Sequence, residues 1–468
     1  MTTPVADFLR EYAARRTLRL HMPGHKGTGS EGEPFDLTEV EGADVLYREE
    51  GILAESQENA RRLFGSGRTL YSTEGSSLAI RAMLMLTVLY ARSKGETPQI
   101  LAARNAHKVF FTASALLNID VELLAVGDSL MSATVTAEAL HRALSEGTRP
   151  TAVYLTSPDY LGNRLDIRAL AEVCHRFGCL LLVDNAHGAY LKFLPEDRHP
   201  MTLGADLCCD SAHKTLHALT GAAYLHVSAN APALLREEAP RAMATFASTS
   251  PSYLILRSLD LLNGTLSLDY PKRLADFCEQ VAALKERLSA EGYTLVGDEP
   301  LKLTLLTGGY GYRGEELASL LRSRGIECEL ADPDYTVLML TPSLTEGDLE
   351  ALADALLSVP RRVPREEELP LMPRNVERVL SPRDALLSPS ECLPIEECRG
   401  RILADPSVSC PPAVPILLCG ERVTDGAILA FRYYGITHCR VVAEGRREDA
   451  GDAKDARDAC HFSFKKEK

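Results

Sequence analysis

The sequence lacks the features that mark several large classes of protein. It contains no CxxC, and its 12 cysteines form no Cys/His cluster with zinc-finger spacing, so no metal site is predicted. No apolar run is long enough to span a bilayer. The N-terminal stretch MTTPVADFLREYAARRTLRL has no apolar segment of the kind found in secretory signals. The net charge of −14 is opposite in sign to the basic surface of most nucleic-acid binders. A cytoplasmic protein that binds neither nucleic acid nor membrane is expected.

Short apolar runs of strand type alternate with helical stretches over the first half of the chain. The clearest unit is AVYLT, followed by a helix that Asp166 caps and Gly178 closes, and then CLLLVD. Two such strands joined by a helix form a right-handed parallel βαβ unit. The predicted strands are 100–103, 121–125, 152–156, 180–183, 207–209 and 222–227. An α/β fold with a mostly parallel sheet is therefore predicted here.

At 468 residues, the chain is expected to form more than one domain. Helical stretches at 272–290, 314–324 and 346–357, with strands at 301–306 and 337–340, indicate a second, smaller α/β domain. The predicted division is an N-terminal helix and arm (1–45), a large domain (46–265), the small domain (266–362), a Pro-rich and charged linker (363–384), a small C-terminal α+β module (385–445) and a disordered tail (446–468).

The stretch DSAHKTLHALTGAAYLHV, residues 210–227, places Lys214 among small and neutral residues. Desolvation there would lower the pKa of the lysine and make it a nucleophile toward an aldehyde. A lysine in a surface loop is the simpler interpretation of this segment taken alone.

Asp184 stands at the end of the apolar strand in LLLVDNAHGAY. Ligands of parallel α/β sheets bind at that edge, and a carboxylate there can keep a pyridinium nitrogen protonated. A helix cap or a turn is an equally good explanation of this aspartate.

Two further segments carry weaker signals. Ser76 and Ser77 begin a helix in YSTEGSSLAIRAML, where backbone N–H groups and hydroxyls suit a phosphate, although plain capping by Ser76 explains them too. His107, in RNAHKVFFTA, can stack on an aromatic cofactor or be a structural histidine.

The order of these signals resembles the Orn/Lys/Arg decarboxylase family, which is built on the aspartate-aminotransferase fold (PLP fold type I). The matching stretches span residues 18–440 and include LHMPGHKGT, DLTEVEGADVLY, STEGSSLAI, RNAHKVFF, YLTSPDYLGNRLDI, VDNAHGAY, DSAHKTLHALTGAAYLHV, FASTSPSYLILRSLD and, near the C-terminus, CPPAVPILLCGERV. The resemblance implies a large domain that binds pyridoxal 5′-phosphate (PLP).

The family's site residues carry over to matching positions of this sequence. Lys214 is expected to hold PLP covalently, Asp184 to pair with its pyridine nitrogen, and His107 to stack on its ring. His187 is expected beside the cofactor, and His213 is expected to move protons near Lys214. The phosphate is expected to bind to three serines: Ser76, Ser77 and Ser211.

The resemblance also implies an oligomer and a reaction. A homodimer or larger homo-oligomer with shared sites is expected, in which Ser250, Ser252 and the arm Gly24–Gly27 serve a neighbouring subunit. The expected reaction is decarboxylation of arginine, lysine or ornithine to an amine of the polyamine pathway. Asp44 and Glu74 are candidates for binding the distal cation of the substrate.

Two alternatives stay open at this point. An aminotransferase of this fold would hold the substrate carboxylate with an arginine of the small domain, but no Lys or Arg occurs from Gly325 to Pro360. A homologue that binds PLP without turnover is the second alternative, and the intact set of Lys, Asp and Ser residues argues against it.

The sequence departs from the family at several positions. Asn185 replaces an acidic or small residue, and Tyr190 replaces a frequent histidine. In the C-terminal signature, Cys410, Ala413 and Cys419 replace Tyr, Gly and Pro. These changes concern the choice of substrate and the closure of the site.

Overall fold

The computed structural model of the protein describes residues 1–15, 17–124, 131–147, 149–365, 373, 376–409 and 414–444. The helices among them are α1 Pro4–Ala14, α2 Gly51–Phe64, α3 Gly75–Ser93, α4 Lys108–Leu117, α5 Ala137–Glu146, α6 Ile167–Arg176, α7 Pro200–Leu203, α8 Ala212–Thr215, α9 Ala233–Phe246, α10 Tyr253–Leu266, α11 Tyr270–Ala290, α12 Gly314–Arg322, α13 Glu346–Leu357, α14 Pro382–Leu387 and α15 Asp425–Tyr433.

The strands among the same residues are β1 Arg68–Ser72, β2 Gln99–Ala102, β3 Asp120–Leu123, β4 Ala152–Thr156, β5 Leu180–Asp184, β6 Leu207–Asp210, β7 Ala223–Val227, β8 Thr294–Val296, β9 Lys302–Leu306, β10 Leu330–Ala331, β11 Tyr335–Met339, β12 Ser390–Pro394, β13 Ser407–Ser409, β14 Val414–Leu417 and β15 His438–Val442.

The larger sheet has the strand order β1-β7-β6-β5-β4-β2-β3. Strands β2 to β6 run parallel to their neighbours, whereas β7 is antiparallel to β6 and to β1. The central strands β4 and β5 are buried along their whole length, as expected when helices cover both faces of a parallel sheet. Their carboxyl ends meet at one edge, and that edge positions the site described below.

A smaller antiparallel sheet, in the order β10-β11-β9-β8, is joined to the loop that follows β4. Gly162 O accepts the backbone N–H of Glu299 at 2.9 Å, and the Thr304 hydroxyl donates to Leu161 O at 2.9 Å. Because these bonds are short and partly buried, β9 lies directly against the end of β4. The smaller sheet therefore borders the carboxyl edge of the larger one.

The C-terminal residues form the antiparallel pairs β12–β15 and β13–β14 together with α15. They share a core with residues of the loop after β4 and of the smaller sheet, among them Leu161 and Val337. Arg104, three residues before His107, donates to Ile416 O at 2.6 Å. The C-terminal module thus reaches the segment that carries His107.

Most predicted elements occur within a few residues of the expected bounds. The strand 152–156 and the helix 346–357 have the same bounds in the structure. The Asp166 carboxylate accepts the Ala169 N–H at 3.1 Å, as predicted for a cap. The α/β class with a mostly parallel large sheet is confirmed.

Two features differ from expectation. Strand β1 escaped prediction because it buries polar residues, such as Thr69, whose hydroxyl lies 2.8 Å from His226 Nδ1. Helix α14 begins at Pro382, inside the segment predicted as a linker. Residues 366–372, 374 and 375 of that segment and the tail 446–468 lie outside the described residues. The domain limits stay predictions.

Among the helices that the structure describes, none is both long and apolar enough to cross a membrane.

We expect Leu182→Ala to lower the free energy of unfolding by about 2–5 kcal/mol. Leu182 is fully buried in β5 and pairs with Tyr154 and Leu207 of the flanking strands. Leu268→Ala is the matched control, because Leu268 is 75% exposed, and should change stability by less than about 0.5 kcal/mol. Thermal unfolding of both variants measures the difference, and equal midpoints would contradict the placement of β5 at the centre.

Candidate active site

Asp184 lies at the carboxyl end of β5, the middle strand of the larger sheet, and is almost fully buried. Its carboxylate accepts the Tyr154 hydroxyl at 3.1 Å and the Ala186 N–H at 3.2 Å. Cys209 Sγ, from β6, lies 3.5 Å from the same carboxylate. A carboxylate held by donors in a buried place, with no cation bonded to it, is suited to a cationic ring nitrogen.

Lys214 lies in the short helix α8, which follows β6 in the chain. Its Nζ is 3.0 Å from His187 Nε2. Burial lowers the pKa of the Lys214 amine, and the negative charge of Asp184 opposes part of that shift. A neutral amine is the nucleophilic form of lysine, so the surroundings favour the reactive state. The interpretation of Lys214 as a surface lysine is wrong.

Two histidines, His187 and His213, lie within the electrostatic reach of that amine. Burial, followed by the charges of Lys214 and Lys302, holds the pKa of His187 well below its ordinary value. Burial also lowers the pKa of His213. His213 Nδ1 is 2.8 Å from Ala222 O, and a carbonyl only accepts. Neutral His213 therefore carries its proton on Nδ1, and its Nε2 is an acceptor.

His107 caps the N-terminus of α4, where its Nδ1 accepts the Val109 N–H at 3.2 Å. Burial lowers the pKa of His107 to about 4, with smaller effects of Asp184 and Lys214. Because the charges of both residues act on His107, the three side chains belong to one site. His107 is thus a cap and a neutral ring beside the predicted cofactor position.

The three predicted phosphate-binding serines fit an anion. Ser76 and Ser77 lie in the first turn of α3, which begins at Gly75 with φ +69°. A Cβ built on Gly75 would meet no atom within 4 Å, so space is open above this turn. Ser211 Oγ is buried and has no hydrogen-bond partner among the described residues. A phosphate oxygen would accept its proton, and the donor set therefore fits PLP.

An open cleft of about 860 Å³ leads to Lys214 and His213. The arm contributes Gly32 and Phe35 to its wall, and α10 contributes Arg257. Arg257 lies over the Phe35 ring at 4.6 Å, and its Nε is buried without a partner among the described residues. The cleft is thus bordered by the N-terminal arm and carries a cation opposite Lys214.

Sequence reasoning missed Lys302 and Glu329, which come from the smaller sheet. Lys302 Nζ lies 3.4 Å from His187 Nδ1. The negative charge of Glu329 raises the pKa values of both Lys214 and His213, against the larger effect of burial. No motif of the first half of the chain points to residues so distant in sequence; only the pairing of β9 and β10 with β11 brings them to the site.

The two carboxylates suggested for the substrate cation make other contacts. Asp44 accepts the Leu53 N–H at 3.1 Å in the first turn of α2, and Glu74 accepts the Ser248 N–H at 2.7 Å.

Ser252 precedes α10 as its capping position, and Ser250 is exposed. The expected contribution of Ser250, Ser252 and the arm Gly24–Gly27 to the site of a neighbouring subunit stays a prediction.

Asn185, one of the residues that depart from the family pattern, is hydrogen-bonded to a buried aspartate. Asn185 Nδ2 donates to Asp210 Oδ1 at 2.7 Å, and Asp210 Oδ2 also lies 2.9 Å and 3.1 Å from the Nε2 atoms of His199 and His226. Burial raises the pKa of the Asp210 carboxyl, but the combined effect of the two histidines is larger and lowers it below its ordinary value. The carboxyl therefore stays ionised. Tyr190 and Cys419 are buried, whereas Cys410 and Ala413 lie outside the described residues.

We expect the apoprotein to lose about 2 kcal/mol of stability through His107 when the pH falls from 7 to 5. The folded pKa of about 4 lies below the unfolded value of 6.5, so the unfolded state binds more protons in this window. His107→Asn keeps a capping acceptor and removes the titration, so the variant should lose less stability. Urea unfolding at both pH values, with His141→Asn on the exposed face of α5 as control, measures the difference. Equal losses in wild type and His107→Asn would contradict the assignment.

Comparisons with known proteins agree with this geometry. The family described as Orn/Lys/Arg decarboxylase, major domain, matches residues 3–297. An arginine decarboxylase of Bacillus subtilis is 29% identical, over 90% of this chain and 91% of its own length. The B. subtilis protein YaaO is 30% identical, over 92% and 93%.

Solved structures show the same fold. A lysine decarboxylase of Francisella novicida superposes with a TM-score of 0.75 at 16% identity, covering 94% of this chain and 81% of that one. The constitutive lysine decarboxylase of E. coli gives a TM-score of 0.74 at 18% identity, covering 94% and 82%. The family and the fold predicted from the motifs are thus confirmed, and the chain belongs to the Orn/Lys/Arg decarboxylase family.

Proposed function

We propose that the chain decarboxylates a basic amino acid with PLP, and that the substrate is arginine. The observation that carries the proposal is the buried Lys214 amine, 3.0 Å from His187 Nε2 and within the electrostatic reach of Asp184. Relatives that carry the name arginine decarboxylase, from Bacillus subtilis and Halalkalibacterium halodurans among others, support the choice of arginine.

The proposed roles follow from the donors and charges of the site. Lys214 would hold the cofactor covalently, Asp184 would pair with its ring nitrogen, and His107 would lie against its face. Ser76, Ser77 and Ser211 would bind its phosphate. When bound, PLP supplies an electron sink for the electron pair left on the substrate Cα.

The chain's own side chains then decide which proton moves. Neutral His213 carries its proton on Nδ1, bonded to Ala222 O, and so has none to give from Nε2. Lys214, once it carries the proton that the incoming substrate ammonium gives up, is therefore the proton donor to Cα in this proposal. The absence of Lys and Arg from Gly325 to Pro360 leaves the substrate carboxylate without a cation on that side, which favours its loss as CO₂.

The distal cation of the substrate is assigned to Glu329. It is an exposed carboxylate just before β10, and its charge acts on both Lys214 and His213. A guanidinium that reaches Glu329 from the side of Lys214 would pair with it in a bidentate manner. Glu329 thus replaces Asp44 and Glu74 as the candidate for this role.

A homodimer with shared sites is part of the proposal. Leu18, Leu20 and Met22 of the N-terminal arm are 80%, 83% and 60% exposed in the single chain. Apolar side chains grouped in this way are typical of a surface that a partner covers. A cytoplasmic role in the formation of polyamines is proposed with it.

Lys214→Ala should abolish the visible absorbance of the bound cofactor and lower CO₂ release from arginine more than about 1,000-fold. Lys272→Ala, at the start of α11, is the control and should behave as wild type. CO₂ and amine are measured for arginine, lysine and ornithine in turn. Full activity of Lys214→Ala would overturn the assignment. A keto acid formed with an added acceptor would instead indicate aminotransfer.

Glu329→Gln should raise KM for arginine about tenfold, because a charge-assisted hydrogen bond is lost, and should leave the cofactor absorbance intact. Glu327→Gln is the matched control, because Glu327 is exposed nearby and pairs with Arg322. Steady-state kinetics with the three basic amino acids give KM and kcat separately. An unchanged KM in Glu329→Gln would assign the distal cation to another group.

A further inference from the structure

Lys302 is a buried lysine at the start of β9 that the sequence motifs do not include. Its side chain and that of Glu299 are each 1% exposed, and Nζ lies 2.9 Å from Glu299 Oε2. Nζ also lies 3.0 Å from Asp159 O and 3.4 Å from His187 Nδ1. The contact with Glu299 Oε2 is an ion pair, whereas Asp159 O and His187 Nδ1 are the acceptors of the Lys302 hydrogen bonds.

The contact with Lys302 determines which nitrogen of His187 carries the proton. An ammonium only donates, so His187 Nδ1 must be the acceptor. Neutral His187 then carries its proton on Nε2, the nitrogen that lies 3.0 Å from Lys214 Nζ. In that tautomer Nε2 donates, and the Lys214 amine must accept with its lone pair. Only the neutral form of the amine has a lone pair.

We propose that Lys302, anchored by Glu299, is a positioning residue that keeps the proton of His187 on Nε2 and thereby keeps Lys214 neutral. The inference rests on the proposed function of Lys214 and adds two residues of the smaller sheet to it. Neither Lys302 nor Glu299 lines the cleft. The charge of Lys302 lowers the pKa of Lys214 directly, and its hydrogen bond acts on Lys214 through the His187 ring.

A purely structural ion pair is the competing explanation. Buried ion pairs add little stability compared with well-packed neutral residues, because both charges lose their hydration. If the pair were only structural, Glu299 and Asp159 O would be sufficient partners for Lys302. Two neutral replacements of the pair that differ only in a donor at position 302 would then have the same effect on Lys214. The two explanations therefore differ in what happens to Lys214.

The experiment compares two neutral replacements of the pair. Glu299→Gln with Lys302→Gln keeps an N–H donor at position 302 near His187 Nδ1, whereas Glu299→Gln with Lys302→Met has similar volume and no donor at position 302. In the full-length apoprotein, competitive labelling with limiting acetic anhydride, followed by mass spectrometry of the peptide that carries Lys214, gives the pKa of that amine. The measurement needs no turnover, so it is independent of whether arginine is the substrate.

We expect the Met pair to shift the Lys214 labelling profile upward by about one pH unit, a tenfold loss of the neutral form. Without a donor at Nδ1, His187 can turn its acceptor toward an ammonium. The Gln pair should label closer to wild type, because both pairs lose the charge of Lys302 and only the Gln pair keeps a donor at His187 Nδ1. With PLP bound, kcat for CO₂ release should fall in the Met pair and recover in the Gln pair, with KM unchanged.

Identical labelling profiles in the two pairs would overturn the proposal. If the Met pair does not fold, ¹⁵N chemical shifts of the His187 ring in the unsubstituted apoprotein decide the question: a proton on Nε2 supports the proposal, and a proton on Nδ1 overturns it. Failure of wild type to release CO₂ while the Lys214 shift is observed would remove the proposed function and leave the linkage.

Discussion

The removal of the Lys214 amine from water is the constraint on which the rest of the site depends. A buried ammonium is costly, and the neutral amine is the form that reacts. His187 and His213 are likewise held neutral, by burial and by the nearby lysines. Asp184 opposes the effect, because its carboxylate favours a cation close by. The site therefore places the Asp184 carboxylate beside buried groups whose cationic forms are disfavoured, and a cationic ring fits that carboxylate.

The parallel sheet supplies the geometry for this balance. Asp184 ends β5, Ser211 follows β6, and the loop of Asp159 follows β4, so three adjacent carboxyl ends converge. Residues that are far apart in the sequence are brought together at this edge, because the neighbouring strands are parallel and end on the same side. The antiparallel strand β7 returns beside β6, and its neighbour Ala222 fixes the ring of His213. Asp184, Lys214 and His213 are thus each held by a bond to a neighbouring element, whereas the Ser211 hydroxyl has no partner among the described residues.

The sequence was sufficient for the residues that lie at the ends of strands in the larger sheet. Lys214, Asp184, His187 and Ser211 follow apolar runs, and the period of those runs is readable. Lys302, Glu299 and Glu329 were not found, because nothing local distinguishes a buried lysine in KLTLL from an exposed one. Their positions depend on how β9 lies against the loop after β4, which is a contact between segments about 140 residues apart. Asp44 and Glu74 each accept a backbone N–H. Acidic residues serve such local contacts as well as ligand binding, so their role with the substrate cation stays a prediction.

The asparagine at position 185, where the family has an acidic or small residue, is explained by a contact that only the structure shows. An amide there would be unremarkable in a turn, yet its Nδ2 donates to Asp210, which two buried histidines also contact. The negative charge thus lies one strand away from Asp184, behind the helix that carries Lys214. Because His199 and His226 offset it, the charge is absorbed in the core and does not compete with Asp184.

The 3.4 Å contact between Lys302 and His187 crosses from one sheet to the other. Hydrogen bonds weaken steeply beyond this length, so a shift of the smaller sheet by about an ångström would release the imidazole from its donor. The proton affinity of Lys214, which lies just after a strand of the larger sheet, then depends on the position of the smaller sheet.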